Sequence, residues 1–518
     1  MLQGSIKPVL RKPLTTMARL SLPLIFTACT ADPDLTAENG PSQLSDNTEK
    51  MIQRAALLEL DTPYVPPPGD PDSFFAVAFA RTLCSAIFVS DLDEQFAAEN
   101  VGFFTAPHEK RHIVIDRLVD EEAKTVTITT NSQFVRKARF IGDLGCVPLP
   151  EGEDFPYYEP PVIQTRLPDS VSTPWPLGDK LVLESARDEI DEPALAAGLE
   201  SFFSTGAMTA AVVVTHKGNV VAERYGAGVD FRTPLESWSM GKSLTATLLG
   251  VVIEQGGYAL EQAAPIPEWQ TAGDPRQKIK IQDILRMSSG LRCYSPYDPE
   301  VDITQPYFDH HYLYTGTVDS FHYAATRPPQ WPPNTVGRYR NCEPVLANYL
   351  VRLAVEGRGD DYHQFPQRYL FDKLGIQNFV LQTDPYGNLL LQGSTLGTAR
   401  DWARLGNLYL NDGMAHGERL LPEGFTDFVR EVAPAWKADG RPIHGGFFWL
   451  EGASFGLPPG EVYSMLGAGG QMTTIVPSKE LVIVRLGHFG GVEAWNALRA
   501  KGLAKLLDAV PISQPPIH

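Results

Sequence analysis

Ser239-Met240-Gly241-Lys242-Ser243-Leu244-Thr245-Ala246-Thr247-Leu248-Leu249-Gly250-Val251-Val252 is the stretch on which the fold turns. It reads as a helix beginning near Ser239, with Leu244, Leu248, Leu249, Val251 and Val252 apolar on most sides. A helix apolar nearly all round is buried. Its first turn nevertheless holds the chain's one S-x-x-K, and residues three apart share a helix face. A serine hydroxyl is a poor nucleophile until a base takes its proton. A lysine one turn away serves as that base if burial and neighbours bring its pKa toward ~7–8. The free N–H groups of a helix N-terminus favour negative charge developing on a bound substrate. The bland alternative is a surface helix capped by Ser239, and the apolar helix body opposes it.

Working outward, a helix is expected over Pro193 to Phe203 and strands over Thr209 to His216 and Asn219 to Tyr225, joined at Lys217-Gly218. The middle, to about residue 430, reads as mostly helical with long loops. Strands follow at Gly446 to Glu451, Gln471 to Val476 and Leu481 to Leu486, then a helix from Val492 to Ala509. Strands at both ends with helices between predict an α+β domain over 177–518. One antiparallel sheet is closed by both termini and carries a helical insertion, with a site at the junction.

Two further motifs belong to that site. In Tyr339-Arg340-Asn341, a phenol beside a lysine can pass a proton to a leaving group, and the amide can hold Lys242 and a substrate carbonyl. Tyr386-Gly387-Asn388 and Tyr409-Leu410-Asn411 share the spacing. Tyr339 is preferred because a breaker-rich loop precedes it and an apolar helix from Val345 to Ala354 follows, a junction where site residues gather. In Gly467-Ala468-Gly469-Gly470-Gln471, Gly467 and Gly469 would let the backbone pass close to a substrate. An ordinary Gly-rich turn explains this motif alone about as well.

Together these segments resemble the serine β-lactamase and penicillin-binding-protein superfamily. Ile281-Gln282-Asp283-Ile284-Leu285-Arg286-Met287-Ser288-Ser289-Gly290-Leu291 is similar to that family's LLxMTSGL stretch, and Thr398-Ala399-Arg400-Asp401-Trp402-Ala403-Arg404-Leu405-Gly406 to its TARDLARLG stretch. The branch resembled is the class C-related one, with 6-aminohexanoate-dimer hydrolase and the family VIII esterases. The resemblance implies a β-lactamase-like fold and an acyl-enzyme on Ser239, with Lys242 and Tyr339 moving protons. It also implies an oxyanion hole from the backbone N–H groups of Ser239 and Ala468, and no metal or organic cofactor. One departure counts against β-lactam hydrolysis: the family's Lys-Thr-Gly reads Gly467-Ala468-Gly469 here.

Other features of the chain compete with this reading. Gly452-Ala453-Ser454-Phe455-Gly456 matches the G-x-S-x-G of α/β-hydrolases, but Leu457-Pro458-Pro459-Gly460 cannot start the helix that motif needs. The aromatic stretch Tyr294 to Tyr323, with His310-His311, reads as a pocket lid or a packed loop. Adjacent histidines on a strand point apart, which disfavours a metal site.

The 518 residues are 43% apolar and 20% charged, enough to bury a core. By length they form about three domains, or one large and one small. A net charge of -18 repels phosphate backbones, so no nucleic-acid partner is expected. Residues 1–50 read as a signal and tether: Arg11, Lys12 and Arg19 precede the short apolar run Leu20 to Ala28. Phe26-Thr27-Ala28-Cys29 resembles a lipobox, making Cys29 a lipidation candidate. Residues 51–150 read as a small α+β module, with a helix over Ser73 to Ser85 and strands at His112 to Ile115 and Thr125 to Thr130. Residues 151–176 read as a linker. Cys84, Cys146, Cys293 and Cys342 remain, and four cysteines allow three pairings; proximity favours Cys84 with Cys146 and Cys293 with Cys342.

The expected protein is thus an exported serine hydrolase of a small-molecule ester or amide. It would lie in a bacterial envelope as a periplasmic lipoprotein, or be secreted, and would meet a membrane only through Cys29. The alternatives are a non-catalytic penicillin-binding-like envelope protein and an α/β-hydrolase-type esterase using Ser454.

Overall fold

The computed structural model describes residues 46–102, 108–181, 189–302, 305 and 307–513. Cys29, the apolar run and the basic residues before it lie outside them.

The central sheet has six antiparallel strands, in the spatial order Trp449–Leu450, Tyr463–Gly467, Gln471–Val476, Leu481–Gly487, Thr209–His216, Asn219–Tyr225. The last long strand pairs with the first, Ile483 opposite Val214 and Val484 opposite Val213. Both ends of the domain therefore close one sheet. Thr209–His216 is buried along its whole length because helices cover both faces. Val482 meets Gly406 of the Ala399–Leu410 helix, whereas Arg485 lies 4.4 Å from the ring of Trp495 in the Val492–Ala509 helix. An odd residue separation places these two side chains on opposite faces.

The strand expected over Gly446 to Glu451 is shorter, Trp449–Leu450. Phe447 has φ +60 and Gly445 N donates to Phe448 O at 2.9 Å, so a tight turn occupies the start of that segment. Helices fill the insertion, among them Met240–Glu254, Cys342–Gly357 and Ala399–Leu410. Thr398 caps the last by accepting from Asp401 N at 3.0 Å.

The N-terminal module is a four-stranded antiparallel sheet, Val114–Asp120, Thr125–Thr130, Val135–Phe140 and Cys146–Pro148, covered by the Pro71–Phe88 helix. The strand expected at His112 begins at Val114; a 3-10 helix, His108–Ile113, precedes it. Asp70 caps the Pro71–Phe88 helix, and Pro71 occupies its first position, where no N–H is needed. Ala76, Ala80, Leu83 and Cys84 belong to one buried cluster with Val126, Ile128, Ala138 and Cys146 of the sheet. Phe74 packs instead on Tyr307 and Tyr312 of the larger domain, with ring centroids 4.6 and 5.2 Å away. The helix is apolar all round because it is wedged between its own sheet and the larger domain.

Residues 46–50, read as tether, begin a helix, Asp46–Leu58. Trp331 Nε1 donates to Ala55 O at 3.0 Å, and Arg54 pairs with Asp439 at 2.5 Å, so this helix is docked on the larger domain. Residues 151–176 follow the surface and are pinned by Tyr158 Oη to Thr383 Oγ1 at 2.6 Å and Trp175 Nε1 to Gly218 O at 2.8 Å. No described helix is long and apolar enough to cross a membrane.

Candidate active site

Ser239 immediately precedes the Met240–Glu254 helix but makes no side-chain capping bond. Its Oγ accepts from Lys242 Nζ at 2.9 Å. The two residues are 7% and 2% exposed, so Ser239 is no surface cap. Trp238, directly before it, has φ +48, a strained conformation for a bulky residue and of the sort that clusters at functional sites. Ser237 N donates to Thr395 O at 2.9 Å and holds this corner in place.

Lys242 Nζ also donates to Gln392 O at 2.7 Å. The same carbonyl accepts from Tyr314 Oη at 3.0 Å. The 391–395 loop comes this near because position 241 is glycine: a Cβ there would lie 2.1 Å from Leu391 O.

The ring of Tyr339 lies 4.9 Å from Lys242 Nζ. Tyr297, His310, Trp449 and His444 surround that ring at centroid distances of 5.8, 5.9, 5.0 and 6.4 Å. Both histidines are held neutral. Burial is the main cause; His311 and Lys242 push His310 further down, and His444 is lowered to about 3, with Arg441 and Lys242 contributing after burial. Arg340 pins the tyrosine loop, donating to Asp298 Oδ2 at 2.9 Å and Leu291 O at 2.6 Å. Disulfides join Cys293 to Cys342 beside that loop, and Cys84 to Cys146 in the N-terminal module.

Asn341 departs from the expectation that its amide holds Lys242. Its Nδ2 donates to His310 O at 2.7 Å, and its buried Oδ1 accepts no hydrogen bond among the described residues. The reason is local: Asn341 opens the Cys342–Gly357 helix, whose start packs beneath the His310 turn. Gly467 ends the Tyr463–Gly467 strand against the Ser237 carbonyl, and Ala468 clusters with Trp238. The Gly469 carbonyl accepts from buried Arg485 at 2.7 Å, so it is occupied within the protein.

The competing residues lie elsewhere. Tyr386 is 42% exposed and packs on Tyr157. Tyr409 shares a hydrogen bond with Thr247 at 2.9 Å. Ser454 is exposed in the 3-10 turn Gly452–Phe455, with another 3-10 turn, Pro459–Glu461, after it, so the helix that must follow an α/β-hydrolase nucleophile is missing here. His310 and His311 sit in a helix, Asp309–Thr315, and not on a strand. No group of three metal-ligating side chains occurs among the described residues.

Gln392, Tyr314, His444 and Trp449 carry no motif. The aromatic richness of 294–323 is a signal for Tyr314. Nothing marks Gln392, because it contributes a backbone carbonyl that any residue has.

Residues 192–497 match the beta-lactamase family model. The 6-aminohexanoate-dimer hydrolase of Paenarthrobacter ureafaciens is 26% identical over 329 residues, which is 58% of this chain and 79% of that protein. A Bacillus anthracis structure provisionally described as a 6-aminohexanoate-dimer hydrolase superposes with TM-score 0.50 at 20% identity, covering 60% of this chain and 82% of its own. A family VIII carboxylesterase structure aligns with TM-score 0.44 at 16% identity, over 59% of this chain and 97% of its own. The N-terminal module lies before the family match.

Proposed function

The chain belongs to the beta-lactamase family, and from that premise we propose that it is a serine hydrolase that cleaves an ester or an amide through an acyl-enzyme on Ser239. The buried contact of 2.9 Å between Lys242 Nζ and Ser239 Oγ carries this reading. In this reading Lys242, one turn from Ser239 on the same helix face, is the base that takes the serine proton. Ser239 Oγ attacks the carbonyl carbon as Lys242 accepts its proton. The tetrahedral oxyanion is stabilised by the backbone N–H groups of Ser239 and Ala468. Tyr339, beside Lys242, relays a proton to the leaving alcohol or amine, and the C–O or C–N bond breaks. Water then attacks the acyl-enzyme by the reverse sequence and releases the acid.

Gly467 supports an ester or amide over a β-lactam. A cationic side chain at that position, where the wider family has lysine, would collide with the Ser237 carbonyl, so the site lacks that handle for a substrate carboxylate. We also assign the protein to an oxidising compartment, as an envelope lipoprotein anchored at Cys29 or a secreted enzyme. Two buried disulfides suit that location.

The test is a panel of p-nitrophenyl esters and small amides, with fluorophosphonate labelling, for the wild type and Ser239→Ala. Turnover and labelling that vanish in the variant are expected. Undiminished labelling of Ser239→Ala would overturn the assignment, and wild-type protein that neither turns over nor labels would point to a binding protein.

A further inference from the structure

We propose that Arg81, carried by the N-terminal module, is a positioning residue of the active site: by holding Ser394 it fixes the 391–395 loop that presents the Gln392 carbonyl to Lys242. The module is then a working part of the hydrolase. This rests on the assignment of Ser239 and Lys242 made above.

Arg81 lies in the Pro71–Phe88 helix and is 1% exposed. Its Nη1 donates to Ser394 Oγ, across the boundary between module and catalytic domain. Its guanidinium carbon lies 5.9 Å from the ring of Trp238 and 5.7 Å from the ring of Tyr314. Trp238 precedes the nucleophile. Tyr314 donates to Gln392 O, the carbonyl that receives Lys242. One cation thus touches both sides of the serine–lysine pair without reaching either residue.

A second tie comes from the same helix face. Ser85, one turn beyond Arg81, accepts from Gln382 Nε2 at 2.6 Å. Gln382 N in turn donates to Ser394 O at 3.1 Å, and Leu390 N to Gln382 O at 2.8 Å. The module therefore grips the loop directly at Ser394 and through Gln382.

Burial of a guanidinium is costly unless it is paired and hydrogen-bonded. The opposite charge that acts on it is Glu236, buried three residues before Ser239 without an ion pair or hydrogen bond to Arg81. Burial raises the Glu236 carboxyl to about 7, and Arg81 opposes that rise. Glu236, Tyr314 and Tyr307 are the titratable groups that act on Arg81. The planar fork of arginine can engage a hydroxyl while stacking near two rings, which a lysine cannot reproduce.

The bland alternative is that Arg81 only fastens two domains together, and kinetics separate the two ideas. In the full-length protein, Arg81→Met should lower kcat for a p-nitrophenyl ester by ten- to a hundredfold, roughly the effect of a small misplacement of a reacting group. KM should change by less than about twofold, as expected when a transition-state contact and not substrate binding is lost. Fluorophosphonate labelling of Ser239 should slow in proportion, and Arg81→Lys should recover only part of the loss. Ser394→Ala keeps the module docked and removes only the acceptor; it should lower kcat in the same sense, and the double variant should be no slower than the slower single one. A folded Arg81→Met with wild-type kcat would overturn the proposal. If Arg81→Met does not fold, wild-type kcat in Ser394→Ala overturns it instead. Failure of the underlying assignment is distinct, because Ser239→Ala would then keep its labelling whatever happens at Arg81.

Discussion

Gly467 and the Ser237 carbonyl are in such close register that a Cβ on Gly467 would lie 2.2 Å from Ser237 O. The end of one sheet strand is thereby pressed against the backbone that leads into Ser239. Ala468 follows at once and clusters with Trp238. Any side chain at 467 must push the strand and the Ser239 turn apart. Gly467→Ala should therefore lower kcat/KM by about 10²-fold, the scale of losing one oxyanion donor. Gly467→Lys should lose activity without gaining β-lactam hydrolysis. Steady-state kinetics on an ester and on a chromogenic β-lactam check both expectations.

Tyr339→Phe keeps the ring against Lys242 and removes only the hydroxyl. It should reduce kcat by ~10²–10⁴-fold, the range for a general acid–base group. Tyr386→Phe should leave activity unchanged, since Tyr386 lies 42% exposed on Tyr157. Tyr409→Phe should cost stability by about 1 kcal/mol through its lost bond to Thr247, and should leave kcat alone. Comparable kinetic losses at all three tyrosines would refute the choice of Tyr339.

His311 is buried and its pKa is lowered from 6.5 to about 4. Between those values the unfolded chain binds a proton that the folded chain refuses, so this residue makes stability fall as pH drops through the window. The contribution is about 1.4 kcal/mol per pH unit. Glu236 and Glu343, each raised to about 7 by burial, act in the opposite sense as pH rises above their unfolded values. His311→Asn leaves those carboxyls in place. Denaturant unfolding at several pH values should show a slope shallower by one proton between pH 4 and 6.5 in the variant. An unchanged slope would show that His311 is not held neutral.

Cys84–Cys146 and Cys293–Cys342 close chain separations of 62 and 49 residues. The double change Cys293→Ser with Cys342→Ser should cost about 2–4 kcal/mol of stability. Alkylation of the denatured, unreduced native protein should leave all four cysteines unmodified. If Cys29 is the anchor, native protein should fractionate with membranes and Cys29→Ser should not, which intact mass and fractionation can decide.

Features set by short-range periodicity were legible in the sequence. Ser239 and Lys242 share a face because a helix repeats every ~3.6 residues, and the apolar body of that helix announced its burial. The alternating and continuous apolar runs at both ends of the domain indicated a sheet closed by its termini. Cysteine spacing favoured the two pairs that the structure joins.

Boundaries and long-range partners were not legible. Residues 46–50 have the composition of a tether, and they are helical because Ala55 and Arg54 find Trp331 and Asp439 far along the chain. His310 and His311 fall in a stretch that reads as a lid or a packed loop, and tertiary packing puts them in a buried helix. Asn341 had the right spacing to hold Lys242, yet the neighbouring His310 carbonyl takes its amide. The Gln392 carbonyl has no sequence signature, because every residue carries one. Arg81 is a single cation on an apolar helix, and only the docking of one module on another brings it to Ser394. Periodicity is a property of neighbours in sequence, whereas a buried charge acquires its role from whatever the fold packs around it. The chain by itself thus pointed to the Ser239 and Lys242 pair, and tertiary structure alone decided what holds them in place.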